Sequence, residues 1–458
     1  MLRSSSISRT LGALGIGLLV TVTSCGGSRD ENATPGDDKT SSASDPDDSA
    51  VENSVGRDST SETSDREETS DPDETPEPET TAEPDETSEP GETPVDEPPT
   101  SAPSTGAPPP SEAQLETTSV ALQKFIELPL LTAVVQHPDR SLWFTSQTGE
   151  IWRMPEGGQP ELVLDLTGET APWAEGSERG MLGIGFNPVD GRLFLYYNDP
   201  SSDSHVVSYA LDEDGTPDPA SRWEVLFVDQ PGIGHKGGGI VFDDNGVMML
   251  ALGDGGGSRG RDAQDYSKLL GGIVRIVPRT SGPGYDIPAD NPFVNQFGVA
   301  PELFAKGLRN PWGFCRDAAT GDMWVTDVGE ETIEEINHIP AGTSGMNFGW
   351  WPLEGTRVRS AQDVPQPNQM PVWEYRHDEY GPAAIGGCVY RGSDIPALDG
   401  AYLMSDMSGP TFALGEGFAA VRINLPEQGS IVTAVKMDLE GEPIVLTLMN
   451  GGYRLVPV

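Results

Sequence analysis

His235 lies in GIGHKGGG (232–239), a loop of small residues with nothing bulky beside the imidazole. Of the five histidines, at 137, 205, 235, 338 and 377, it is the one set among glycines. Imidazole is the side chain best matched to taking a proton near neutral pH, so a general base is one reading and a solvated loop histidine the other. GIGHKG also matches G-x-G-x-x-G, and Asp254 comes about twenty residues later, as in a dinucleotide-binding turn. The context excludes that reading. The next residues, GGIVFDDNGVMMLAL, read as strand, turn and strand, with no helix whose N-terminus could hold a pyrophosphate. The chain also lacks H-E-x-x-H and G-x-x-x-x-G-K-[ST]. The glycines are instead expected to let backbone approach closely just before a strand.

Two further stretches carry groups suited to chemistry. GLRNPWGF (307–314) sets Arg309 beside Asn310, and a guanidinium with an amide can hold carboxylates or quinone oxygens by directed hydrogen bonds. The alternative is that both cap backbone groups at the edge of a sheet. DVGEETIEEIN (327–337) gathers Asp327 and glutamates 330, 331, 334 and 335 around a turn, and hard oxygens of this kind suit Ca²⁺. The spacing is not that of an EF-hand, and a solvated acidic turn is the other reading.

The elements that must position these residues read as β-structure. Six related units recur: 138–154, 187–200, 242–256, 316–330, 395–409 and 437–455. Each has a polar turn, usually ending in glycine, then a short alternating strand, then a second turn. Six such units over 115–458 predict an all-β, six-bladed β-propeller, which closes radially and leaves only short sheet edges. The longest insertions fall between units three and four and between units four and five, and loops of that length on a rigid scaffold tend to be functional. DAQDYSKLLGGIVRIV (262–277) is expected to hold one short helix. Cys315 and Cys388 lie near inner strands of neighbouring units, and both a disulfide and two buried thiols fit that placement.

The first 114 residues are different in kind. Arg3 and Arg9 precede the apolar run 11–22, too short to span a membrane, and Val22-Thr23-Ser24-Cys25 closes it. Small residues before a lone cysteine resemble a bacterial lipoprotein signal, which predicts a signal peptide over 1–25 and lipidation of Cys25. Residues 26–114 are Ser, Thr, Pro, Glu and Asp, and hold near half of the formal net charge of −45. Such a segment buries too little apolar surface to offset its chain entropy, so a disordered acidic stalk is expected, holding an extracellular propeller off the outer face of a cytoplasmic membrane. The acidity excludes nucleic acid as a partner.

ERGMLGIGFNP (178–188), HKGGGIVFDDNG (235–246), LGDGGGSRGRDAQDYSKLLGGIVRI (252–276), GLRNPWGF, DVGEETIEEIN, NFGWWPLEG (347–355) and IGGCVYRG (385–392), in that order, resemble the glucose/sorbosone dehydrogenase family, the soluble aldose sugar dehydrogenases, with the propeller of the Hedgehog-interacting type as a related subgroup. The resemblance covers nearly all of 118–458. It implies a six-bladed propeller that oxidises the anomeric hydroxyl of sugars with pyrroloquinoline quinone (PQQ) and Ca²⁺. At matching positions it implies His235 as the base and Arg309 with Asn310 as cofactor-holding residues that stabilise the reduced form. It implies Gly329 and Glu330 as backbone calcium ligands and Glu334 and Glu335 as acids of nearby structural calcium binding. The chain also departs from the pattern. Where quinone-binding members place a lysine and two arginines on the cofactor's carboxylates, it has Ser408, Ile431 and Thr433, and losing such charge-assisted contacts removes about 1.5–3 kcal/mol each. Glu178 stands where glutamine is common; Arg179, Lys236, Arg259 and Arg261 are the nearby cations expected to compensate. A non-catalytic propeller binding a ligand or surface protein, and a calcium-dependent lactonase-like hydrolase, are the alternatives on the same fold.

Overall fold

The computed structural model describes residue 106 and residues 108–423 and 430–458. The expected signal segment 1–25, Cys25 and the linker as far as residue 105 lie outside the described residues. Six antiparallel sheets succeed one another along the chain. Blade 1 is Leu131–Gln136, Leu142–Ser146, Glu150–Met154 and Glu161–Asp165. Blade 2 is Met181–Phe186, Leu193–Asn198, Ser204–Tyr209 and Trp223–Val228. Blade 3 has Ile240–Phe242, Met248–Leu252 and Gly272–Pro278, the last pairing with both Tyr285–Asp286 and Leu303–Lys306. Blade 4 is Pro311–Arg316, Met323–Asp327, Ile333–Ile339 and Trp373–Arg376. Blade 5 is Ala384–Val389, Tyr402–Asp406, Thr411–Leu414 and Ala420–Ile423. Blade 6 holds Val432–Met437, Pro443–Thr447 and Gly451–Pro457, and its outer strand is Val120–Ile126 from the other end of the domain. This is the six-bladed propeller expected from the repeats, with the ring closed by pairing its two chain ends.

Each of the six repeated units proves to mark the second strand of a blade and the turn before it. The turns form because a short acid or amide side chain caps the backbone: Asp243 Oδ1 accepts from the amides of Asn245 and Val247, and Asp438 Oδ1 from those of Glu440 and Glu442. Gly246 sits there at φ 79°, which a side chain rarely tolerates. The second strands do not alternate as predicted. Leu193–Asn198, Met248–Leu252 and Tyr402–Asp406 are buried at every position. The reason is radial packing, which covers both faces of a blade. One apolar cluster joins Trp143 and Ile151 of blade 1 to Met181 and Leu193 of blade 2, and another joins Met249 and Ile273 of blade 3 to Phe314 and Val325 of blade 4.

The short helix expected in 262–277 is a single 3₁₀ turn, Arg261–Gln264, and Gly272–Pro278 beyond it is a blade strand. An α-helix does occur at Glu112–Glu116, across the expected start of the domain, where Leu115 joins the core between blades 5 and 6. Cys315 and Cys388 form a disulfide between the inner strands of blades 4 and 5. No helix among the described residues is long and apolar enough to cross a membrane.

Candidate active site

In an antiparallel blade the start of the first strand and the end of the second lie at the same end, so loops at those positions from different blades meet. His235 precedes the inner strand of blade 3 and Asp254 comes after its second strand. Arg309 and Asn310 precede the inner strand of blade 4, and Val328 to Glu330 come after its second strand. Glu178 precedes the inner strand of blade 2, and Trp350 comes from the insertion inside blade 4.

His235 is held by contacts on every side. Its backbone is left-handed (φ 53°), a conformation a non-glycine residue adopts only when its surroundings impose it. Its amide donates to Glu178 Oε2 at 2.5 Å and its carbonyl accepts from Gly255 at 3.2 Å. The glycines do what the sequence implied: a Cβ on Gly253 would lie 2.0 Å from the His235 carbonyl oxygen. The imidazole Nδ1 lies 2.6 Å from Asp254 Oδ1. Asp254 also accepts from the Gly256 amide and, on Oδ2, from Trp350 Nε1 at 2.8 Å. Burial opposes ionisation of Asp254, but the His235 contact and these donors hold its carboxyl below the ordinary aspartate range. An ionised carboxylate only accepts, so the proton of neutral His235 sits on Nδ1 and the lone pair on Nε2. Nε2 makes no hydrogen bond among the described residues, and the side chain is 18% exposed. The ring is thus oriented with Nε2 available to accept a proton.

Arg309 and Asn310 come next to it, with different duties. Asn310 is buried; its Oδ1 accepts from Gly237 at 3.1 Å and its Nδ2 donates to Glu178 Oε2 at 3.3 Å. It braces the His235 loop, a duty beyond the cofactor contact that the resemblance implies. The amides of Arg309 and Asn310 both donate to the buried Asp327, at 2.8 and 2.6 Å. The Arg309 guanidinium donates to the Val328 carbonyl, lies 5.5 Å from the Trp350 ring centroid, and keeps a buried Nε with no partner. That orphaned donor needs an acceptor from outside the described chain.

The glutamate-rich turn is organised by a residue to which the sequence gives no role. Glu354, its side chain fully buried, accepts on Oε1 from the amides of Glu330, Glu331, Thr332 and Ile333. In a trans peptide the carbonyl of one residue points opposite to the amide of the next. The carbonyls of Gly329, Glu330 and Glu331 therefore face away from Glu354, as a set of hard oxygens suited to Ca²⁺. Gly329 and Glu330 thus turn their carbonyls to the side of the turn away from Glu354. Glu334 and Glu335 are not joined to them as acidic ligands. They are successive residues of one strand and take opposite faces. Glu334 accepts from His377 Nε2 (2.6 Å), Ala384 and Gly329; Glu335 accepts from Gly355 and Asn337. The Glu330 carboxylate pairs with Arg359. Among the described residues no three His, Cys, Asp or Glu side chains converge as a metal cluster.

These buried acids carry a pH dependence. Burial pushes Glu334 up to about 7, and it drives Asp327 and Glu335 upward as well. The Glu334 hydrogen bond raises His377. Each of these four shifts is upward, so between the ordinary glutamate value and about 7 these groups hold protons in the folded chain that the unfolded chain has released. Stability therefore falls as pH rises through that window. The denaturant midpoint of the metal-free protein is expected to be higher at pH 5 than at pH 8.

The three positions that the family pattern gives to quinone clamps supply none. Ser408 Oγ bonds to Asp406, Ile431 is apolar, and Thr433 Oγ1 donates to the Leu131 carbonyl. Of the compensating cations, Arg179 donates to Ser202, Lys236 is folded under its own loop onto the Gly232 carbonyl, and Arg261 stacks on Trp351. A further cation, Arg359, pairs with Glu330 and lies 4.6 Å from the Trp350 ring centroid. Arg309 and Arg359 thus share one tryptophan, which Asp254 links to His235. Two guanidiniums and an aromatic face suit a planar ring bearing carboxylates, so the residues present fit PQQ by a route different from the one the resemblance implied.

The family model for glucose/sorbosone dehydrogenase matches residues 128–434. The HIPL2 protein of Arabidopsis thaliana is 29% identical over 356 residues, covering 60% of this chain and 50% of its own. Aldose sugar dehydrogenase YliI of Escherichia coli is 28% identical over 278 residues, covering 57% of this chain and 70% of its own. The PQQ-bound form of the aldose sugar dehydrogenase from Streptomyces coelicolor has the same fold, with a TM-score of 0.59 at 20% identity over 77% of this chain and 99% of that one. This chain spans about half the length of the plant HIPL proteins it matches. It belongs to the glucose/sorbosone dehydrogenase family.

Proposed function

We propose that the propeller oxidises the anomeric hydroxyl of aldoses with PQQ as acceptor. The observation that carries this reading is the His235–Asp254 pair, with its free Nε2, joined through Trp350 to Arg309 and Arg359. His235 Nε2 takes the hydroxyl proton. Asp254 keeps the ring in register and stabilises the imidazolium that forms. Arg309 and Arg359 hold the cofactor's anionic oxygens, and Asn310 keeps the His235 loop against them. Bound PQQ supplies the hydride acceptor. The Gly329 and Glu330 carbonyls would hold Ca²⁺, which would supply polarisation of the acceptor. The acidic, apolar-poor sequence of 26–114 supports a stalk, and the 11–25 pattern supports export with lipidation of Cys25, placing the propeller outside the cytoplasmic membrane and reserving membrane contact for that anchor.

The test is titration of the full chain with PQQ and Ca²⁺, and then dye reduction with a panel of aldoses. Saturable quinone binding and sugar-dependent reduction are expected. Arg359→Gln should weaken quinone binding by about 10–100-fold, the equivalent of one charge-assisted contact. Failure of both binding and reduction leaves a non-catalytic binding propeller, as for the Hedgehog-interacting type. Calcium-dependent lactone hydrolysis without quinone would favour the hydrolase.

A further inference from the structure

A cavity of about 600 Å³ runs along the propeller axis, and His235, Asp254, Arg309 and Trp350 do not line it. Its walls are the inner strands of all six blades. Each of these strands is paired along one edge only, so amides and carbonyls of the other edge face the bore. Lys436, on the inner strand of blade 6, lines it too. Its Nζ donates to the Phe314 carbonyl at 3.0 Å, and an ammonium has two further donors.

The carboxylates at the mouth remote from His235 already have partners. Asp317 pairs with Arg391 at 2.7 Å, Asp438 with Arg454 at 2.6 Å, and Glu440 with Arg140 at 2.5 Å. Asp244 lies 4.0 Å from Arg316. Lys436 has no carboxylate partner among the described ion pairs, and burial alone draws its ammonium down to about 8. The Lys436 side chain is half-buried against the bore, and a charge drawn partly out of water gains from a counter-ion. A cation without a counter-ion, facing a cavity large enough for more than water, is the complement of a small anion. Bare strand-edge amides add further donors.

We propose that the axial channel is a second ligand site, in which Lys436 binds a small oxyanion, either a carboxylate or phosphate. The site is separate from the His235 cleft and does not depend on the dehydrogenase reading.

Thermal melting of the full chain in phosphate, in propionate and in chloride, at matched ionic strength, tests it. At about a hundredfold excess over its Kd the preferred oxyanion should raise the wild-type Tm by about 4 °C beyond chloride. Whichever of phosphate and propionate acts at lower concentration identifies the source. Lys436→Met should abolish the rise, and Lys436→Arg should retain it. Loss of the unpaired cation is not expected to unfold Lys436→Met. As a second measurement on the wild type, acylation of Lys436 read by mass spectrometry should slow about tenfold at ten times the half-saturating concentration, while exposed Lys268 is unaffected. No oxyanion-dependent rise in the wild type, or an equal rise in Lys436→Met, overturns the proposal.

Discussion

His235→Gln is expected to lower kcat for aldose oxidation by about 10²–10⁴, the range a positioned general base contributes, with little change in KM. Glutamine keeps much of the volume and offers no lone pair basic enough to take the proton. The fold should survive, because the imidazole makes one side-chain hydrogen bond, to Asp254, and is partly exposed. Asp254→Asn is the companion. It leaves Trp350 and the loop in place but removes the acceptor that fixes the proton on Nδ1, so a fall of about 10² or more is expected, also in kcat. PQQ binding, read by titration, should be nearly unchanged in both variants. Turnover that persists in His235→Gln with quinone bound would remove the imidazole from the chemistry and leave the cofactor assignment standing.

Glu354→Ala should destabilise the domain by about 3–5 kcal/mol, as expected when one partner of a buried, hydrogen-bonded charge is deleted. Four amides of the turn 330–333 converge on one oxygen of this carboxylate, and Thr332 Oγ1 and Arg357 reach the other. Without it those amides lose their shared acceptor, and the turn loses the pull that aims the Gly329 and Glu330 carbonyls away. Urea denaturation reads the first effect. The second is read as a loss of the calcium-dependent rise in Tm. Glu354→Gln keeps an acceptor oxygen at the same reach and should recover part of the stability. A wild-type midpoint in Glu354→Ala would mean that the turn is shaped by its own sequence, and the link between Glu354 and the calcium donors would fall.

The repeated polar turn, strand and turn could be read in order, because Asp and Gly at a turn act locally: Asp243 and Asp438 cap amides a few residues away, and Gly246 takes its left-handed φ within the same turn. Blade number and the place of each second strand came from that. The alternation expected within those strands did not hold, since a neighbouring blade covers the face that would otherwise meet water. The outer strand of blade 6 was not legible either, because Val120–Ile126 pairs with Gly451–Pro457 across the whole domain and no local pattern records a partner so distant.

His235, Arg309, Asn310, Gly329 and Glu330 were visible as residue types in glycine-rich or acidic loops, and the sequence by itself determined that such groups stand at the ends of blade strands. Only the tertiary structure decided what they do together. In the sequence Asp254 stands out only through a nucleotide motif that fails; Trp350, Glu354 and Arg359 lie in the blade 4 insertion. Each acquires its role through a partner far along the chain, on His235, on the turn at 330–333 or on the shared tryptophan ring. Composition and spacing are properties of neighbours in the chain, whereas a hydrogen bond between two loops depends on how the blades close around the axis.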